Sequence, residues 1–356
     1  MLTKTTVTSH NAKRNSIPPR GEFNISILQY FNTKKMSDLL GKINSYIASH
    51  PCLRKPKGLY EPVEYTLAMG GKRVRPTLML LAYGIYHDDV EAIMKQAVAL
   101  ETYHNFTLLH DDLMDNADLR RGKPTVHSRW GANTAILSGD AMTVLAFRDI
   151  ADCASDKVKP VVRLFTETAL EVCEGQQMDM EFESRLNVTE AEYMEMIRLK
   201  TSVLLACALK MGAMLADAPQ DDCDKLYAFG EQLGLAFQLQ DDYLDVYGDP
   251  TVFGKAIGGD ILSDKKTYML INAFLRATPE QREELNKWIG NKTCDPKEKI
   301  KAVTELYNII GIGDLARHKI EECFANAHGI LASLNVTDDR KRDLQAYADS
   351  MMGRRK

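Results

Sequence analysis

The chain has 356 residues, 45% hydrophobic and 26% charged, with a formal net charge of −4 and a pI near 6.1. That composition supplies apolar surface for one large core, and its acidity argues against a nucleic-acid partner, which draws a basic surface. No apolar run reaches 18 residues, so no membrane-spanning helix is expected. The seven cysteines contain no Cys-x-x-Cys pair, and Cys173 and Cys207 fall inside apolar helical patterns. They read as small core residues in a reducing compartment, the cytoplasm.

Residues 1–35 are polar, include Ser16-Ile17-Pro18-Pro19-Arg20 and lack the apolar core of a signal peptide. They are expected to be a disordered extension, ahead of one domain over 36–356. From Met36 the periodicity is helical, with Leu39, Leu40, Ile43 and Ile47 on one face. Apolar residues at three- and four-residue spacing predict helices over Val90–Leu113, Val161–Met180, Tyr193–Leu215 and Leu226–Tyr247. No Asn-Gly or Asp-Gly hairpin joins alternating segments and no βαβ rhythm is present. The expected fold is all-α, a single bundle of ten or more helices with short connections.

One pattern occurs twice, about 130 residues apart: Asp111-Asp112-Leu113-Met114-Asp115 and Asp241-Asp242-Tyr243-Leu244-Asp245. On a helix, positions i and i+4 share a face, so Asp111 with Asp115, and Asp241 with Asp245, can each grip one object. Leu108 and Leu109, and Phe237 and Leu239, mark both helices as otherwise buried. Clustered carboxylates there need cations, and an oxygen-only donor set suits Mg²⁺ better than Zn²⁺.

Three basic groups complement them. Gly70-Gly71-Lys72-Arg73-Val74-Arg75-Pro76 joins flexible backbone to guanidinium groups, a phosphate-binding composition, although periodicity does not separate Lys72 from Arg73. Arg120-Arg121-Gly122 follows the first aspartate motif by five residues. Lys200-Thr201, Lys255, Lys265 and Lys266 form the third set. Two acidic metal sites among many cations fit a diphosphate carried by Mg²⁺, in which metals and cations stabilise a leaving group. An allylic diphosphate would leave a carbocation, which needs a dry apolar pocket.

The strings GGKRVRP, LLHDDLMDNADLRRGKPTVH, GDAM, KTSVLL, FQLQDDYLDVYGD and FGKAIGGD, in this order between about Gly58 and Lys266, resemble the trans-isoprenyl diphosphate synthases. The resemblance implies a helical bundle around a central cavity and the head-to-tail joining of isopentenyl diphosphate to allylic diphosphates. It implies three Mg²⁺ ions bridging Asp111, Asp112 and Asp115 and Asp241, Asp242 and Asp245 to the allylic diphosphate. Arg120, Lys200 and Lys255 resemble allylic diphosphate ligands. Gly71, Lys72, Arg75, His104 and Arg121 resemble the isopentenyl diphosphate pocket, with a plain core histidine as the alternative for His104. Thr201 and Gln240 sit where the family stabilises the cation, and released diphosphate is the expected base. A homodimer is implied too.

In the family, large residues upstream of the first motif form the floor that limits product length. Tyr103, Phe106 and Thr107 occupy those positions and point to a C15–C20 product. Arg354-Arg355-Lys356 resembles a tail that some farnesyl diphosphate synthases fold over the isopentenyl site. Rival readings are a terpene cyclase, against which the second motif's Asp-rich form counts, a metal-dependent phosphohydrolase, and a non-catalytic regulatory subunit.

Overall fold

The structure, a computed structural model, describes residues 34–52, 54–185, 187–249 and 257–353. The extension expected over 1–35 lies almost wholly outside them, as do Lys255 and the terminal Arg354-Arg355-Lys356. The described chain is helical nearly throughout: α1 (Lys34–Ser49), α2 (Lys57–Ala68), α3 (Val74–Gly84), α4 (Met94–Met114), α5 (Val126–Trp130), α6 (Ala132–Ile150), α7 (Ser155–Ser184) and α8 (Glu190–Ile197) form the first half. They are followed by α9 (Val203–Leu215), α10 (Gln220–Tyr247), α11 (Gly259–Leu262), α12 (Tyr268–Arg276), α13 (Pro279–Trp288), α14 (Pro296–Ile310), α15 (Ile312–Ala332) and α16 (Asp338–Met352).

Start signals are local. Thr189 and Thr278 each accept from the backbone N–H three residues on, while Glu192 and Gln281 bond back to the cap, closing two capping boxes. Asp295 caps α14 by accepting from the N–H groups of Lys297 and Glu298. One apolar core runs from Leu39 to Met351. A smaller cluster, including Val63, Leu109, Val126 and Met142, lies where α2, α4 and α6 meet. The aspartate-bearing helices have different main neighbours: α4 packs on α6 and α3, α10 on α9 and α15. No helix among the described residues is long and apolar enough to cross a membrane.

Three features depart from the sequence expectation. Cys207 is buried in the core as expected, but Cys173 is exposed, on the outer side of α7. Tyr193–Leu215 is not one continuous α-helix: Arg198–Ser202 forms a π turn between α8 and α9. A short antiparallel pair, β1 (Leu119–Arg120) with β2 (Lys123–Pro124), closes through Arg121 and Gly122, both with positive φ. Positive φ at both central residues matches the twist of the flanking strands. An Arg-Gly turn supplies it here where Asn-Gly would be the familiar signal.

Candidate active site

The first aspartate motif ends α4, with Asp115 as its C-cap. Asp111 Oδ1 is buried and accepts no hydrogen bond, while Lys200 Nζ stands 3.5 Å away. Desolvation, with Asp111 beside it, raises the Asp115 carboxyl above its ordinary range. Asp112 turns elsewhere. It is buried and takes Arg120 bidentately, Nε lying 2.7 and 2.8 Å from its two oxygens. The hairpin is thereby tied to the helix, and Arg120 comes to the edge of the site.

The second motif ends α10. Asp245 Oδ2 accepts from the Asp260 N–H at 2.9 Å. Asp242 is buried, accepting from the Tyr193 hydroxyl and, at 3.2 Å, from Gln238 Nε2. Burial, with Asp260 nearby, pushes its carboxyl up to about 7. The middle aspartate of each triplet is thus held by protein side chains, Asp112 by Arg120 and Asp242 by Tyr193 and Gln238.

Two lysines join the halves. Lys200 Nζ donates to Asp179 Oδ2 at 2.6 Å and faces Asp111. Lys265 enters the space from the turn after α11. Burial works against its charge, yet Asp179, Asp260, Asp242 and Asp111 together raise its ammonium above the ordinary range. Lys265 thus lies within the electrostatic reach of carboxylates of both motifs. Asp179 and Asp260 went unread in the sequence: Asp179 is a lone aspartate four residues after Gly175 in α7, and Asp260 ends the Gly258-Gly259-Asp260 string. Lys266 points away, 3.4 Å from the Glu183 carbonyl.

The π turn sets Lys200 and Thr201. It is wedged between α7 and α10, where a Cβ on Gly175 would lie 2.3 Å from the Lys200 N and one on Gly234 2.5 Å from the Ser202 Cα. Those are backbone contacts, so the turn itself would have to move. Gly234→Ala is expected to cost about 1–3 kcal/mol through overpacking and, by shifting Lys200, to weaken diphosphate binding. Denaturant unfolding and substrate KM values measure the two effects. Thr201 Oγ1 donates to Gln238 Oε1 at 3.2 Å. Gln240, by contrast, turns to the C-terminal helix, its Nε2 donating to the Met352 carbonyl at 3.0 Å. The amide beside Thr201 is therefore Gln238, two residues before the expected one.

A second basic pocket lies beside the first motif. His104 Nδ1 and Arg75 Nε are buried without hydrogen-bond partners. Burial and the surrounding Arg75, Arg121, Arg120 and Arg73 hold the His104 imidazolium well below its usual range, so the ring is neutral. Burial likewise lowers Arg75, to about 10. Gly71 has φ 144°, and a Cβ there would meet the Arg121 guanidinium at 2.9 Å. Arg121 donates to the Gly70 carbonyl across this gap. Buried nitrogens without partners among crowded cations suit an anion. Lys72 and Arg73, inseparable in sequence, part here: Lys72 is exposed, while Arg73 is buried on Glu101 at 2.8 Å.

On α4, Phe106 packs on Tyr103 at 5.3 Å and on His110 at 4.7 Å between ring centroids. Tyr103 is fully buried against Phe165 and donates to the Ala169 carbonyl. Thr107 Oγ1 donates to the His104 carbonyl at 2.8 Å.

Oxygen-only carboxylates and phosphate-type cations inside a helical bundle define an enzyme class that handles diphosphates. The profile of the polyprenyl synthetase family matches residues 56–307. A short-chain isoprenyl diphosphate synthase of Methanocaldococcus jannaschii is 39% identical over 76% of this chain and 81% of its own. A geranylgeranyl diphosphate synthase of Methanosarcina mazei is 38% identical over 75% and 82%. The crystal structure of geranylgeranyl pyrophosphate synthetase from Pyrococcus horikoshii OT3 superposes with a TM-score of 0.83 at 33% identity, covering 90% of this chain and all of that one. The chain belongs to the polyprenyl synthetase family, the trans-isoprenyl diphosphate synthases, and is a trans-prenyltransferase. The cyclase and phosphohydrolase readings fall away with that assignment.

Proposed function

We propose that this chain condenses isopentenyl diphosphate head to tail with short allylic diphosphates to give a C15–C20 all-trans prenyl diphosphate. The observation that carries the reading is the placing of Lys200 against Asp111 at 3.5 Å and Asp179 at 2.6 Å, together with a second group of cations in which Arg75 Nε and His104 Nδ1 are buried without hydrogen bonds. There is one anion site for each substrate. The allylic C1–O bond breaks and diphosphate leaves. The isopentenyl double bond attacks C1, and the released diphosphate accepts the proton lost from the product. Lys200, Lys265 and Arg120 hold the leaving group, joined by Lys255. Lys72, Gly71, Arg75, Arg121 and His104 hold isopentenyl diphosphate. Thr201 with Gln238 places an oxygen dipole beside the developing cation.

Asp111, Asp115, Asp241 and Asp245 are the residues to hold Mg²⁺, supported by Asp112 and Asp242, and three ions match the family. The Asp111 Oδ1, buried without a hydrogen bond, and the carboxylate-only donor set fit such ions. When bound, Mg²⁺ neutralises charge developing on the leaving group.

Phe106, over Tyr103, forms the product floor. Phe106→Ala is expected to lengthen the product by one isoprene unit or more, since a helical turn of about 5.4 Å approximates one unit. Product analysis after dephosphorylation checks it, and unchanged length with lost stability would reduce Phe106 to core packing. A homodimer is proposed through α6, whose Ile136, Leu137 and Val144 are 43%, 59% and 68% exposed. This helix also backs α4, with His110 Nε2 3.2 Å from the Ile136 carbonyl. Leu137→Asp is expected to give monomers in sedimentation. The domain is taken as 36–356 in the cytoplasm, where the seven free cysteines remain reduced.

The reading is tested by incubating purified protein with Mg²⁺, isopentenyl diphosphate and C5, C10 or C15 allylic primers. C15 or C20 alcohol after dephosphorylation is expected. No incorporation by folded protein would overturn it.

A further inference from the structure

The sequence beyond Lys266 offers no motif, yet α14 reaches the site. We propose that Lys299 on α14 is a positioning residue for Lys265: it anchors Asp264 and so fixes the direction in which Lys265 enters the carboxylate cluster. The inference rests on the reading that this cluster binds an allylic diphosphate.

Lys299 Nζ donates to Asp264 Oδ1 at 2.6 Å, with the side chains 3% and 13% exposed. Asp264 has φ 55°, a left-handed conformation that aspartate tolerates but does not favour. On either side of it the turn is hydrogen-bonded in series. The Asp264 N–H donates to the Ile261 carbonyl at 3.3 Å, the Lys265 N–H to the Asp260 carbonyl at 3.0 Å, and the Thr267 N–H to the Lys265 carbonyl at 2.9 Å. Upstream, the Gly258 N–H donates to the Asp245 carbonyl at 2.7 Å and the Asp260 N–H to the Asp245 carboxylate at 2.9 Å. The turn therefore hangs from the second aspartate motif at one end. Asp264 is its pivot, and Lys299 is its anchor on a separate helix.

A lysine is rarely buried so fully without a partner. As stabilisation alone the pair is a poor choice, because an apolar pair of similar volume packs as well or better. What the ion pair adds is direction. A carboxylate fixed at one point fixes the backbone of the next residue, as outer-shell partners fix metal ligands. Lys265 is that next residue.

The test uses the full chain and two variants, Lys299→Met and the double variant Asp264→Gly with Lys299→Met. The double variant removes both charges of the pair and places glycine where φ is positive, so it keeps the fold even where the single variant loses it. Titration calorimetry with inorganic diphosphate in MgCl₂ reads binding directly. Steady-state assays read KM for dimethylallyl and isopentenyl diphosphates separately. The expected result is about a 10-fold weakening of diphosphate binding and of the dimethylallyl diphosphate KM in the double variant, with KM for isopentenyl diphosphate and the melting temperature unchanged. Parental diphosphate affinity in the folded double variant would overturn the role of Lys299. Equal changes in both KM values would overturn it as well, by showing a general structural effect. Parental protein that neither binds diphosphate nor turns over would overturn the synthase reading beneath it.

Discussion

Asp111→Asn is expected to lower turnover at least about 10³-fold while leaving the protein as stable as the parent or slightly more stable. The two halves of that result have one cause. Asp111 Oδ1 is buried without a hydrogen bond, and its charge adds to the effect of burial in raising the Asp115 carboxyl. In the ligand-free protein that carboxylate is a cost, offset only in part by Lys200 at 3.5 Å. An amide of the same shape removes the repulsion and also the oxygen anion that a divalent cation requires. A carboxylate whose purpose were structural would behave oppositely, as Asp112 should: with Arg120 bound bidentately, Asp112→Asn strands a guanidinium. Turnover under saturating substrates and thermal melting of the same preparations measure both halves. A large loss of stability in Asp111→Asn would contradict the account of this residue.

Glu101→Leu is expected to destabilise the fold by about 3–5 kcal/mol, the cost of leaving one partner of a buried ion pair unpaired. Arg73 and Glu101 are each 2% exposed. Arg73 also donates to Asn44 Oδ1 at 3.1 Å and the Leu67 carbonyl at 2.7 Å, and Asn105 donates to Glu101 Oε1 at 3.2 Å. The arginine adopts a left-handed conformation, φ 48°, at the start of α3, between Lys72 and Arg75. The pair therefore locks the basic loop onto α1, α2 and α4 one turn before His104. Replacing both partners, with Arg73→Met added to Glu101→Leu, should recover most of the stability because no charge remains buried. Denaturant unfolding of the parent, the single and the double variant is the check. If the double variant is no more stable than the single, packing rather than charge pairing explains the site.

How much of this was legible in the sequence follows the range of the forces involved. The helices of the aspartate motifs announce themselves through apolar periodicity, and the i, i+4 carboxylates need nothing beyond one helix to be read. Cationic strings likewise stand out locally. What escaped depends on neighbours distant in the chain. The π turn at Arg198–Ser202 arises because Gly175 and Gly234 let α7 and α10 press on it, and within its own segment the apolar spacing looks α-helical. Gln238 and Gln240 lie on opposite sides of α10, so choosing between them requires knowing which side meets Thr201. Lys72 and Arg73 part only when Glu101, 28 residues away, is seen to occupy one of them. Asp179 and Asp260 are single carboxylates with no repeating partner, and only Lys200 and Lys265 reveal what they face.

The central claim is that both aspartate motifs act on one diphosphate through Mg²⁺. Its most direct test is titration calorimetry of inorganic diphosphate into the parent, Asp111→Asn and Asp241→Asn proteins, with and without MgCl₂. The account predicts binding by the parent only when Mg²⁺ is present, and its loss in either variant. Binding of equal strength without Mg²⁺, or parental affinity in one of the two variants, would contradict it.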